Sequence, residues 1–94
     1  MRLSLYGRGN VKTIVLGRKP LRDYLIEAVV SLNRDADVVE IVGRGRNIHR
    51  AVNLYNALVS RVGERIVIKN VEIGSILVKN RRVSYIKIVV QRIS

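Results

Sequence analysis

Apolar positions along the chain alternate between two periods. From Val11 to Leu16 (VKTIVL) they are dense and β-branched, bounded by Asn10 and Gly17, which predicts a strand. Beyond Pro20 they recur at Leu21, Tyr24, Leu25, Ala28, Val29 and Leu32, the spacing of one helix face. Pro20 stands where a helix can open without needing that N–H. Asn33 to Asp37 interrupts the pattern, and Val38 to Val42 (VVEIV) is apolar on nearly both faces, as in an inner strand of a parallel sheet. A glycine-rich turn, Gly43-Arg44-Gly45-Arg46-Asn47, precedes a second helical face at Ile48, Ala51, Val52, Tyr55, Leu58, Val59 and Val62, with Gly63 as its stop. Ile66 to Val78 predicts a third strand, kinked near Asn70 or Gly74. Lys79-Asn80-Arg81-Arg82 is turn-like, and Val83 to Val90 (VSYIKIVV) completes a hairpin.

The predicted order is therefore β-α-β-α-β-β. Two strand–helix–strand crossovers of the usual hand put both helices on one face of the sheet. The expectation is an α/β two-layer sandwich with a mixed four-stranded sheet. The first three strands would end at one edge, which brings together Gly17-Arg18-Lys19, Gly43 to Arg46 and Lys79 to Arg82. A chain of 94 residues fits one domain; the expected division is a flexible segment over 1–10 and a single domain over 11–94. The start lacks the long apolar stretch of a signal peptide. No run of about 18 apolar residues occurs, so no membrane span is expected and the cytoplasm is the expected location.

Charge adds the partner. Eighteen Lys and Arg against seven Asp and Glu leave a net +11, and phosphate polymers are the usual counterpart of such an excess on a small domain. The acids are sorted rather than mixed: none lies between Glu40 and Glu64, and none follows Glu72. Charges kept only for solubility would be interspersed. Cysteine is absent, which excludes disulfides and Cys-based zinc sites. The single histidine, His49, has no cysteine or obvious carboxylate partner, and Asp23 and Glu27 at i, i+4 read more simply as a solvated helix face with Arg22 and Lys19 nearby than as a metal pair. No catalytic residue, metal site or cofactor is expected.

The candidate nucleic-acid contacts are Arg18 and Lys19, then Arg44 and Arg46, then Lys79, Arg81 and Arg82, with Arg50 one helical turn beyond Arg46. The guanidinium fork matches phosphate oxygens. Gly43 and Gly45 could let the backbone approach a phosphate beside the free N–H groups opening the second helix, or could simply make a tight turn. Arg81 and Arg82 could equally solubilise a hairpin tip. Tyr24 and Tyr55 fall on apolar helix faces, the face of Tyr85 is open, and four aromatics are too few for stacking platforms. Arg2 and Arg8, beside Gly7 and Gly9, could form an arm on nucleic acid or be disordered.

These residues, Val15-Leu16-Gly17-Arg18-Lys19-Pro20 and Glu40 to Ile48 leading into Ala51-Val52, resemble the Alba family of archaeal chromatin proteins, as do Ile73-Gly74-Ser75 and Arg82-Val83-Ser84. The resemblance runs from about Val11 to Arg92. It implies a dimer, of identical chains or with a paralogue, that binds double-stranded DNA or RNA without strong sequence preference and is associated with the nucleoid. The alternative it leaves is an RNA role, stabilising RNA or serving an RNA-processing particle such as ribonuclease P. It also implies that Arg18 and Lys19 are central contacts, Arg44 and Arg46 phosphate contacts, and Arg82 the hairpin contact. Three departures stand out. Arg18 replaces the first lysine of a pair discussed for acetylation, leaving Lys19 for such modification; the hairpin turn is short; and Val62 stands where a phenylalanine often helps dimers pack side by side.

Overall fold

β1 (Asn10–Val15) runs parallel to β2 (Ala36–Arg44), while β4 (Arg81–Arg92) is inserted antiparallel between β2 and β3 (Ile66–Val78). The computed structural model, which describes residues 10–93, thus holds one mixed sheet in the order β1-β2-β4-β3. Helix α1 (Leu21–Arg34) crosses from β1 to β2, and α2 (Ile48–Val62) carries the chain from β2 past β4 to β3. The expected element order and fold class are those observed. The segment expected to be flexible lies outside the described residues except at its end: Asn10 is already in β1, and its Nδ2 donates to the Asp35 carbonyl at 3.1 Å.

One layer of apolar side chains joins sheet to helices. Ile14, Val39, Ile41, Ile86, Ile88 and Val90 alternate along three strands and meet Ala28, Leu32, Leu54 and Leu58 from the helices. The helical periodicity read from Tyr24 to Leu32 is the buried stripe of α1. Arg92 ties the far end of β4 down, donating from Nη1 to the Leu32 carbonyl at 2.9 Å and from Nη2 to Asp37 Oδ1 at 2.5 Å.

The structure sharpens the sequence reading in four places and moves two boundaries. Pro20 is not the first helical residue: its ψ of 148° keeps it extended, and its carbonyl accepts the Asp23 N–H at 3.0 Å. Gly43 and Arg44 are not turn but the end of β2, still paired with Ile86 and Tyr85; only Gly45–Asn47 curl, into one 3₁₀ turn. α2 ends before Gly63, as expected, but that glycine is not left-handed. Its φ of −55° leads into a second 3₁₀ turn, and its missing Cβ spares a 3.2 Å approach to Val59. Of the two positions expected for the kink in β3, the irregularity falls beside Asn70, between Ile68 and Asn70, whereas Gly74 pairs regularly with Tyr85.

The β3–β4 hairpin outruns the rest of the sheet. Pairing of β2 with β4 ends at Arg44 and Tyr85, but β3 and β4 stay paired out to Val78 and Arg81. At about 3.4 Å per residue, the residues from Arg81 to Ser84 form an arm extending roughly 13 Å past the last β2 pair. Lys79 and Asn80 close it with φ of 50° and 65°, the two left-handed positions of a type I′ turn.

Candidate nucleic-acid interface

Because β1, β2 and β3 point the same way, the loops after all three leave one end of the sheet. The first is Gly17-Arg18-Lys19. Leu16 is still pinned to β2, its N–H donating to the Val42 carbonyl at 2.9 Å. The chain then turns over Tyr24, whose hydroxyl oxygen accepts the N–H of Gly17 at 2.8 Å and that of Lys19 at 3.4 Å. Arg18 and Lys19 are both exposed. The Lys19 ammonium lies 5.1 Å from the centre of the Tyr24 ring, within cation–π range.

The second loop is shaped by Gly43 and Gly45 in different ways. Gly43 is buried, and a Cβ there would lie 2.3 Å from the Asn47 carbonyl oxygen. Its smallness therefore serves the close fold of the turn over β2. Gly45 is exposed and has a φ of +54°, a conformation other residues rarely hold. Arg44 and Arg46 on either side of it lie at the positive end of α2. Arg50, grouped with them as a contact by sequence, is half-buried and turned inward. It donates to the carbonyls of Gly17 and Lys19 (the latter at 2.5 Å) and to Asn47 Oδ1 at 3.2 Å.

The third group rides on the arm. Lys79 sits in the turn, Arg81 and Arg82 in the first positions of β4, and all three are exposed. Arg82 Nη1 donates to Ser75 Oγ on the opposite strand at 3.0 Å. The arm base lies beside the second loop, where a Cβ on Gly45 would be 3.8 Å from Val83. Gly45, Ile48, Arg81, Arg82, Val83 and Ser84 line the cleft between them.

Comparison with known proteins decides the family. The Alba family model matches residues 12–75. The DNA/RNA-binding protein Alba 2 of Saccharolobus solfataricus is 35% identical over 80 residues, 85% of this chain and 90% of the relative. The chain belongs to the Alba family. The DNA/RNA-binding protein Alba of Nanoarchaeum equitans is 34% identical over 70 residues, covering 74% of this chain and 73% of the relative. Alba from Thermoplasma volcanium superposes with a TM-score of 0.75 at 22% identity, covering 86% of this chain and all of the other, which supports the shared fold. The family match ends at Ser75, so Lys79, Arg81 and Arg82 lie beyond it while the two helix-side loops lie within it.

Within this Alba fold, the acid near the arm is neutralised. Glu72 accepts a hydrogen bond from the Tyr85 hydroxyl at 2.5 Å and lies 3.6 Å from the Lys87 ammonium. The hydrogen bond, then the Lys87 charge, hold its carboxyl below the usual carboxylate range, and the same bond raises the Tyr85 hydroxyl above its ordinary value. Tyr85 thus lies against Glu72 rather than in the helix-covered core, which settles the face that sequence left open. Glu27 pairs with Lys12 at 2.9 Å rather than with Asp23, and no cluster suited to a metal ion exists among the described residues. His49 Nε2 lies 3.1 Å from Asn53 Nδ2, an exposed i, i+4 contact. No helix among the described residues is long and apolar enough to cross a membrane. The inward role of Arg50, the acceptor role of Tyr24, and the Ser75 and Glu72 contacts were not visible in sequence. Their only trace was the nearness of Arg50 to the basic turn.

Proposed function

We propose that the protein binds double-stranded DNA as a basic dimer, without reading its sequence, and serves chromosome architecture in the nucleoid. The observation that carries this reading is the gathering of Arg18, Lys19, Arg44 and Arg46 at one end of the sheet, with Lys79, Arg81 and Arg82 on an arm projecting from that end. Phosphates spaced along a duplex can be met by such a row without any base contact. The names of the Saccharolobus and Nanoarchaeum relatives, which carry binding rather than catalysis, support it. Those names include RNA as well as DNA, so binding to duplex DNA and to RNA belongs in the same titration.

Dimerisation is supported by β3. It is an edge strand whose outer side pairs with no other strand among the described residues, and it leaves Val67, Ile68, Val71, Ile73 and Leu77 exposed, Ile73 at 75% and Leu77 at 72%. Edges of this kind are usually covered or blunted with charge. A second copy that covers it would double the basic surface. Sedimentation should give twice the monomer mass, and Ile73→Ser combined with Val71→Ser should shift it toward one chain.

The test of function is the salt dependence of duplex DNA affinity. If a dimer neutralises roughly 6–10 phosphates, affinity should fall about 10³–10⁵-fold between 50 and 200 mM salt. A flat dependence would remove the phosphate-clamp reading. Arg18→Ala with Lys19→Ala should weaken all sequences alike. Sequencing the nucleic acid cross-linked to the protein in its own cell weighs DNA directly against RNA.

A further inference from the structure

The two residues that flank the Arg18 position, Gly17 and Lys19, have every backbone hydrogen-bonding group occupied, and by only two side chains. Their N–H groups both donate to the Tyr24 hydroxyl, at 2.8 and 3.4 Å. Their carbonyls both accept from Arg50, one from Nη1 and the other from Nη2. The Arg50 guanidinium stands 5.9 Å from the centre of the Tyr24 ring, and Lys19 Nζ lies 5.1 Å from that centre. Tyr24 itself is fixed in the core at 5% exposure. Arg50 reaches one step further, since Nη1 also donates to Asn47 Oδ1 in the second basic loop. A planar fork with several fixed donors can hold three acceptors at once; a lysine ammonium on a flexible stem cannot reproduce that geometry.

We infer that Tyr24 and Arg50 are positioning residues for the nucleic-acid contact at Arg18, fixing the Gly17–Lys19 loop, and its spacing from the Arg44–Asn47 loop, before the partner arrives. The inference rests on the function proposed above. A loop held in this way has already given up the backbone freedom that a mobile loop would have to surrender on binding, about 1–2 kcal/mol per residue. Arg50 then strengthens binding although its donors face the protein's own carbonyls. Gly17 belongs to the same device: a Cβ there would stand 3.3 Å from the Tyr24 hydroxyl, crowding the acceptor that organises the loop.

Two charge-preserving variants test this. Tyr24→Phe removes only the accepting oxygen and keeps the ring; Arg50→Lys keeps the charge and removes the fork. Each should weaken duplex DNA binding about 5- to 30-fold, the equivalent of freeing one residue, by the same factor at every salt concentration. The slope of log affinity against log salt should stay at the wild-type value. Arg18→Ala, by contrast, should flatten the slope by about 0.9 for each phosphate it leaves unneutralised. Amide exchange at Gly17 and Lys19 in the free protein should quicken in both variants. The double variant should be little weaker than the worse single one, because either change frees the same loop. Wild-type affinity in Tyr24→Phe, or a slope in Arg50→Lys as flat as that of Arg18→Ala, overturns the positioning role and leaves the function standing. A wild-type protein that binds neither duplex DNA nor RNA overturns the function, and this role with it.

Discussion

A methyl group added at Gly43 would lie 2.3 Å from the Asn47 carbonyl oxygen and 2.8 Å from Ala51 Cβ, both in the turn and helix that follow. Backbone cannot swing aside as a side-chain tip can, so Gly43→Ala should destabilise by about 1–3 kcal/mol, the usual cost of overpacking. At Gly45 an added Cβ would make only an ordinary 3.8 Å contact with Val83, and the cost is conformational: its φ of +54° makes Gly45→Ala lose about 1–2 kcal/mol, while Gly45→Asn should lose less, since Asn tolerates that region. Urea midpoints of the three variants separate the two causes, and equal losses for Gly45→Asn and Gly45→Ala would contradict the second. Sequence alone offered both roles for this glycine pair and could not divide them, because close approach and the sign of φ are set by how the turn lies on β2. The Glu72–Tyr85 bond makes a prediction in pH. Glu72 has its folded value lowered, so its contribution is present above about 4.5 and lost as pH falls through the lowered value. Tyr85 has its folded value raised, so its contribution is present below 10 and lost as pH rises through the raised value. Replacing Glu72 with Gln should bring Tyr85 back toward 10, as followed by its ring ¹³C shift.

At the scale of elements, the arm is closed by a two-residue turn whose chemistry is only half suited to it. Both Lys79 and Asn80 hold positive φ, and type I′ turns favour Asn followed by Gly at these positions. Lys79→Asn with Asn80→Gly should therefore order the arm, slowing amide exchange near Val78 and Arg81, while removing one cation. If the arm grips phosphate through Lys79, the same variant should bind more weakly in spite of its better order. The turn also explains what sequence misplaced. Lys79 to Arg82 looked like one basic loop because Lys and Arg do not announce a strand, yet Arg81 and Arg82 pair with Val78 and Leu77. The helices were legible because their apolar stripes repeat over three turns or more, and the strands because they are β-branched. Their ends were not, since Gly43 and Arg44 are strand only through pairing with β4, a partner about 40 residues away that local pattern cannot reveal. Arg50 failed for a related reason: its spacing from Arg46 put it on the basic side, but its partners come from the loop after β1.

For the whole molecule, +11 spread over 94 residues is a standing repulsion that a polyanion would relieve. A ligand at about 100 times its dissociation constant adds about 2.7 kcal/mol, so duplex DNA should raise the melting temperature at low salt and lose that effect as salt is added. No shift at low salt would count against binding to the folded state. The sheet order β1-β2-β4-β3 carries a consequence for how the molecule comes into being. β4 follows β3 in the chain, yet it is the strand that touches both β2 and β3. While the ribosome is still making Arg81 to Arg92, β3 lacks the strand it pairs with, and the parallel pair β1–β2 has no neighbouring strand on either flank among the described residues. The sheet can close only after those residues emerge, so this protein must complete its fold after nearly all of the described chain has been synthesised. Until then its exposed cations and bare strand edges are in the company of ribosomal RNA.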